Sequence, residues 1–260
     1  MNEKKIFFKN KKGQKIVALL AMPKQEKPPL VIIIHGFKGT KEYYPMANNA
    51  VQPFLDNGFA VLRIDCRGTG ESDMEFRNMT IHTEAEDIST TIDFVKTLPI
   101  NQNNIAIIAI SMSASAVLIA KPKVKTIVFW GPGWKLGLGS YYDQPKYHKT
   151  VEEEGVWYVS LKDPYNREKI ITPLVAGKEL FKEMTTLDLT KELPKLSKIP
   201  TIIFRGEKDE VTGGTGDENV VKLMKSELKI IKDGDHNFLD KKAESELIKT
   251  TIDWFNKHLK

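Results

Sequence analysis

Three residues whose types combine in covalent catalysis occur in the order Ser111, Asp209, His236, each after a segment that reads as a strand. A serine hydroxyl is a weak nucleophile at neutral pH and needs an imidazole to take its proton. That imidazole in turn needs a carboxylate to fix its tautomer and stabilise its charge. The serine lies within Asn104 to Ala120, NIAIIAISMSASAVLIA, where the apolar run Ile105 to Ile110 stops at Ser111 and small residues open a short helical pattern. A sharp strand-to-helix turn of this kind holds a hydroxyl up out of a sheet, and it usually reads Gly-x-Ser-x-Gly. Here Ala109 and Ser113 occupy the glycine positions. They are the next smallest choices, so the turn is expected to survive them at some strain where backbones approach closely.

The elements that must position these residues alternate. Leu30 to Ile34, Phe59 to Ile64, Ile105 to Ile110, Thr126 to Trp130 and Pro200 to Phe204 are predominantly apolar segments that read as strands, several of the kind covered on both faces. Helical spacings fall at Glu42 to Asp56, Thr83 to Leu98, Glu218 to Ser226 and Lys241 to Leu259. With an N-terminal hairpin (Lys4 to Phe8, Gln14 to Met22) and a strand at Leu228 to Lys232, this order predicts an α/β protein. Its sheet would be mostly parallel, of about eight strands, with helices on both faces. Ligands in such sheets bind at the carboxyl ends of the strands. From Gly131 to Ser197 the rhythm breaks, aromatic and Gly/Pro content rises, and a hairpin (Val156 to Leu161, Lys169 to Thr172) turns at Asp163-Pro164-Tyr165-Asn166. Residues 131–197 are therefore expected to form a small inserted cap on a core domain of residues 1–130 and 198–260. Trp130, Trp134, Tyr141, Tyr142, Trp157 and Tyr158 would either line a pocket or build the cap's own core.

The loops after the strands carry a family resemblance. His35-Gly36-Phe37-Lys38-Gly39, Asp65 to Ser72 (DCRGTGES), Ile110-Ser111-Met112, Gly206-Glu207-Lys208-Asp209 and Gly234-Asp235-His236 together resemble the α/β-hydrolases. Within that superfamily they resemble the serine esterases that include feruloyl (cinnamoyl) esterases. The resemblance implies the α/β-hydrolase fold, with Ser111 as nucleophile, His236 as general base and then acid, and Asp209 as the orienting carboxylate. It also implies an oxyanion hole made by the backbone N–H groups of Phe37 and Met112, near which Ser113 would add a hydroxyl. The implied activity is hydrolysis of a carboxylic ester with an aromatic or short acyl group, without metal or organic cofactor. A thioesterase or peptidase would share every one of these residues, and a catalytically silent binding protein of the same fold is the alternative from another class.

Other candidates have plainer readings. Ser113 and Ser115 fall inside the helix, His35 is placed to bond backbone in its loop, and Asp65, Asp73 and Asp235 suit turns. The single cysteine, Cys66, excludes an internal disulfide and a cysteine zinc site. The net charge of +5 comes from dispersed lysines, with no arginine cluster to suggest a nucleic-acid groove. No segment has the apolar length of a signal peptide core or a membrane span, so a cytoplasmic location is expected. The expected partner is a small-molecule ester rather than nucleic acid or membrane; oligomeric state is left open, a homodimer being one option.

Overall fold

The computed structural model describes residues 3–135, 145–163, 165, 169–214 and 216–259. Tyr141, Tyr142, Pro164 and Asn166 lie outside the described residues. The strands of the main sheet are β1 (Glu3–Lys9), β2 (Lys15–Ala21), β3 (Leu30–Ile34), β4 (Ala60–Asp65), β5 (Ile105–Ile110), β6 (Thr126–Trp130), β9 (Thr201–Gly206) and β10 (Glu227–Ile231). They lie in the order β1-β2-β4-β3-β5-β6-β9-β10. The first two pairings, β1 with β2 and β2 with β4, are antiparallel, and the remainder are parallel. The mostly parallel sheet read from the β-branched runs is present, and these strands are buried on both faces for the reason their composition implies.

Successive strand residues feed two separate cores. Leu30, Ile32 and Ile34 join the cluster that includes residues of α2 (Ile81–Val95), α3 (Ser113–Ala120) and α6 (Asp217–Met224). Val31 and Ile33 join the opposite cluster, with α1 (Pro45–Asp56) and α7 (Lys241–His258). Helix α2 starts earlier than its apolar spacing indicates because Thr80 caps it. The Thr80 hydroxyl accepts from Thr83 N at 3.0 Å, and the Thr83 hydroxyl accepts from Thr80 N at 2.9 Å. Among the described residues no helix is long and apolar enough to cross a membrane.

Between β6 and β9 the chain forms α4 (Pro145–Glu154), an antiparallel ribbon of β7 (Val156–Lys162) and β8 (Ile170–Gly177), and α5 (Lys178–Thr186). A 3-10 segment, Thr190–Leu196, then places Leu193 and Leu196 in the core cluster of α3 and α6. The sequence reading ends this strand at Thr172, whereas β8 runs on through Pro173 to Gly177. In a two-stranded ribbon each strand keeps an open edge, and a proline is tolerated there.

One group in this core is at odds with its surroundings. Glu84 on α2 is fully buried, and neither carboxyl oxygen has a hydrogen-bond partner. Burial, with the Asp87 charge adding to it, pushes its pKa far above the carboxylate range, so the folded protein holds it neutral. A folded-state pKa above the unfolded value gives stability that is complete at low pH and declines as pH rises past the unfolded pKa. Glu84→Gln keeps the shape without the titration. In urea unfolding at pH 5, 7 and 9, the variant is expected to lose less stability with rising pH than the parent; parallel curves would contradict this.

Candidate active site

The site is built where β3 and β5 run side by side, with β4 beyond one and β6 beyond the other. Strand order reverses there, which opens a crevice at the strand ends. Ser111, immediately after β5, has φ 55°, a left-handed conformation that costs a non-glycine residue free energy and is rare outside tight turns. Neighbouring backbone fixes that turn: Ser111 N donates to Trp130 O at 3.1 Å, and Gly133 N donates to Ser111 O at 2.9 Å. Gly36, after β3, passes so close that a Cβ there would meet Ser111 Cβ at 2.7 Å and Ile110 O at 2.8 Å. Only glycine fits at this crossing.

Ala109 and Ser113 are both fully buried beside the turn. The Ser113 hydroxyl donates to Ile110 O at 2.9 Å and to Ile34 O at 3.2 Å. The expected hydroxyl near the oxyanion position is therefore corrected: two strand-end carbonyls capture it, and it serves to tie β5 to β3. Ser115 likewise bonds backbone, donating to Gly133 O and accepting from Lys135 N.

Three loops bring the remaining groups to the serine. His236, after β10, has Nε2 3.2 Å from Ser111 Oγ, and its Nδ1 lies 3.1 Å from both carboxylate oxygens of Asp209. Asp209, after β9, also accepts from Val211 N at 3.0 Å, Thr212 N at 3.1 Å and the Thr212 hydroxyl at 2.8 Å. Burial alone would push the Asp209 carboxyl up, but the bond and charge of His236 and the Thr212 donors outweigh it. The carboxyl is held well below its usual range. Asp209 is thus an anion facing the imidazole at any physiological pH. Gly131 lies against this pair and takes φ 53°, a left-handed conformation that favours glycine.

Sequence reasoning missed the cation behind Asp209. Arg205, buried near the end of β9, donates to Asp209 Oδ2 at 2.9 Å, and pairs with both oxygens of Asp217 at 2.8 and 2.9 Å. Asp217 also accepts from Trp134 Nε1 at 2.6 Å. An arginine at the end of an apolar run reads as a strand end turning to solvent. The signal that could have found it is the (i, i+4) spacing to Asp209 across the turn.

Phe37 and Met112 are both buried, following β3 and β5 respectively. His35 holds the first of these loops: its Nδ1 donates to Gly36 O at 2.9 Å, and its Nε2 accepts from Cys66 N at 3.0 Å. Burial pushes this imidazole's pKa down, keeping it neutral for both bonds. Asp65 and Asp73 are taken up by turns, Asp65 accepting from Lys41 N, Lys41 Nζ and Glu71 N and Asp73 from Lys15 N.

Above the serine is a cavity of about 530 Å³ that also reaches His236, Phe37, Tyr44, Trp157 and Tyr158. Its far wall is β7. The Phe37 ring stacks on Trp157 at 5.4 Å between centroids, and the Tyr43 hydroxyl donates to Lys162 O at 2.7 Å. Trp130, by contrast, is buried within the sheet's second core and donates to the Thr251 hydroxyl.

Sheet, turn and loop order define the class: this is an α/β-hydrolase fold. Est1E from Butyrivibrio proteoclasticus, solved with ferulic acid bound, superposes with TM-score 0.81 at 20% identity, covering 97% of this chain and 98% of that one. The α/β hydrolase GrgF from Penicillium sp. sh18 superposes with TM-score 0.81 at 19% identity, covering 100% of this chain and 99% of its own. The family model of the X-Pro dipeptidyl-peptidases (S15 family) matches residues 12–157, more than half of the chain, and the protein belongs to that family. Two curated relatives, both uncharacterized 31.7 kDa proteins of the traX-finO intergenic region of Escherichia coli, match at 35% identity over 107 residues and 38% over 71. These stretches cover 39% and 27% of this chain and only 36% and 24% of the relatives' lengths.

Removing one member of a buried ionic network leaves the others unpaired, at a cost of about 3–5 kcal/mol. Arg205→Met is expected to lower unfolding stability in urea by about 3 kcal/mol or more for that reason. A loss below about 1 kcal/mol, the range of an exposed pair, would show that Asp209 and Asp217 do not depend on it.

Proposed function

We propose that the protein is a serine hydrolase that cleaves carboxylic esters through an acyl-enzyme on Ser111. The observation that carries this reading is the unbroken line from Ser111 Oγ through the His236 ring to Asp209, at 3.2 and 3.1 Å. In the proposed reaction Ser111 Oγ attacks the ester carbonyl while His236 Nε2 takes its proton. Asp209 fixes the ring with Nδ1–H toward itself and balances the imidazolium charge. The N–H groups of Phe37 and Met112 bind the oxygen that becomes negative. The C–O bond then breaks, and His236 returns the proton to the departing alcohol. A water that gives its proton to His236 releases the acid and restores Ser111.

Residues 131–197 act in this reading as a cap, with β7 closing the cavity over the serine. A volume of about 530 Å³ suits a small organic ester. The aromatic lining supports an aromatic or short acyl group, and the ferulic acid held by the structurally similar Est1E points the same way. A peptidase reading is favoured by one observation, the S15 family match, although it ends before Asp209 and His236.

Labelling by a fluorophosphonate tests the chemistry directly. Adduct is expected on Ser111, absent in Ser111→Ala and slowed at least about a hundredfold in His236→Ala; a folded, unlabelled parent protein would sink the proposal. A panel of 4-nitrophenyl esters, an acyl thioester and an X-Pro 4-nitroanilide then separates the subclasses. Oxyesters are expected to give the highest kcat/KM, and preference for the anilide would establish the peptidase reading.

A further inference from the structure

Among the described residues, one corner of the cavity over Ser111 carries a charge that no ion pair balances. Lys38 directly follows Phe37, and its left-handed backbone, φ 65°, sets its side chain along the cavity wall. Its ammonium donates to Ser160 O on β7 at 2.9 Å and lies 5.4 Å from the centroid of the Phe37 ring. Among the described residues no carboxylate pairs with it, and Lys162 on the same wall has no side-chain partner either. An ammonium has three donors and here one is used. Burying a cation is costly unless an anion is brought to it.

The other titratable groups around this cavity come from four elements. Asp163, at the end of β7, accepts from Tyr165 N and lies 3.5 Å from Lys169 Nζ. Tyr158, on β7 itself, donates its hydroxyl to Glu154 Oε2 at 2.7 Å; Glu210, after β9, is exposed, Tyr43 and Tyr44 precede α1, and His236 follows β10. Asp163 and Glu210 on the rim tell against a dianion such as a phosphate monoester. A single carboxylate is matched by the two donors that Lys38 has left.

We propose that Lys38, with Lys162 beside it, is a carboxylate-binding corner of the active-site cavity, and that the preferred ester carries a carboxylate placed there. The inference rests on the ester-hydrolase reading above. It also sets this site apart from one suited to a peptide N-terminus, whose ammonium Lys38 would repel. Burial, and then the Lys162 charge, push the Lys38 ammonium down to about 8. Lys38 is therefore charged at neutral pH and loses its charge in mild alkali.

Two matched pairs test it, with the charge on the acyl side or on the leaving-group side. These are the 4-nitrophenyl monoester of adipic acid against 4-nitrophenyl hexanoate, and 4-acetoxybenzoate against phenyl acetate. In at least one pair the anionic ester is expected to have the higher kcat/KM at pH 7, by about tenfold or more, mainly through KM. That ratio is expected to vanish in Lys38→Met and to decline between pH 7 and 9.5. In Lys38→Arg, whose guanidinium stays charged, it is expected to persist at pH 9.5. Neutral esters preferred in both pairs, or a ratio unmoved by Lys38→Met, would overturn the inference while leaving ester hydrolysis standing.

Should no ester be hydrolysed, calorimetric titration of Ser111→Ala with monomethyl adipate still decides. Binding that weakens about tenfold or more in Ser111→Ala/Lys38→Met supports the corner. No binding at millimolar ligand, or binding indifferent to Lys38, overturns it.

Discussion

The close crossing of two strand ends is the constraint from which the rest of the site follows. Ser111 can stand in a left-handed turn only because Gly36 presents no Cβ to it. That contact requires β3 and β5 to be adjacent and parallel, which the buried β-branched runs enforce. The same crossing brings Phe37 and Met112, the residues directly after Gly36 and Ser111, to the ends of β3 and β5. The usual glycines beside the nucleophile are replaced without loss of the turn. Ala109 is absorbed in the core below, and Ser113 uses its added hydroxyl to bond the two strands together.

A second constraint is electrostatic. Asp209 is buried, and an isolated buried carboxylate would take up a proton and cease to stabilise an imidazolium. It stays ionised because His236, two backbone amides, the Thr212 hydroxyl and Arg205 surround it. Arg205 also leads the ionic chain away to Asp217 and Trp134, so the loop carrying the acid is anchored to the start of α6. The position of the proposed relay therefore depends on residues that never approach a substrate.

The sheet was legible in the sequence because parallel strands buried on both faces are written as unbroken apolar runs, and Ile105 to Ile110 and Thr126 to Trp130 match the observed strands residue for residue. Ser111 and Asp209 were legible because each follows such a run, whereas His236 follows the mostly exposed β10 and was legible through its place in the chain order and the family resemblance. Less legible were features decided by tertiary contact. The start of α2 depends on a Thr80–Thr83 reciprocal cap, β8 continues through Pro173 because its edge is open, and α5, otherwise polar, is short enough that its buried Leu180, Phe181 and Met184 make little more than one turn of apolar spacing. Arg205 and Lys38 had no role legible in the sequence, since a lone cation in a loop or strand end ordinarily faces water. Only the fold shows that each is drawn inward.

The central claim is that the Ser111–His236–Asp209 line forms and discharges an acyl-enzyme. Rapid mixing with a 4-nitrophenyl ester, quenched in acid and followed by intact-mass and peptide analysis, measures this most directly. The expected result is a burst of 4-nitrophenol close to one equivalent per chain, with the acyl mass on the peptide bearing Ser111 and a much slower discharge in Asp209→Asn. Turnover of the ester with no burst, no trapped acyl group and no dependence on Ser111 would contradict the account.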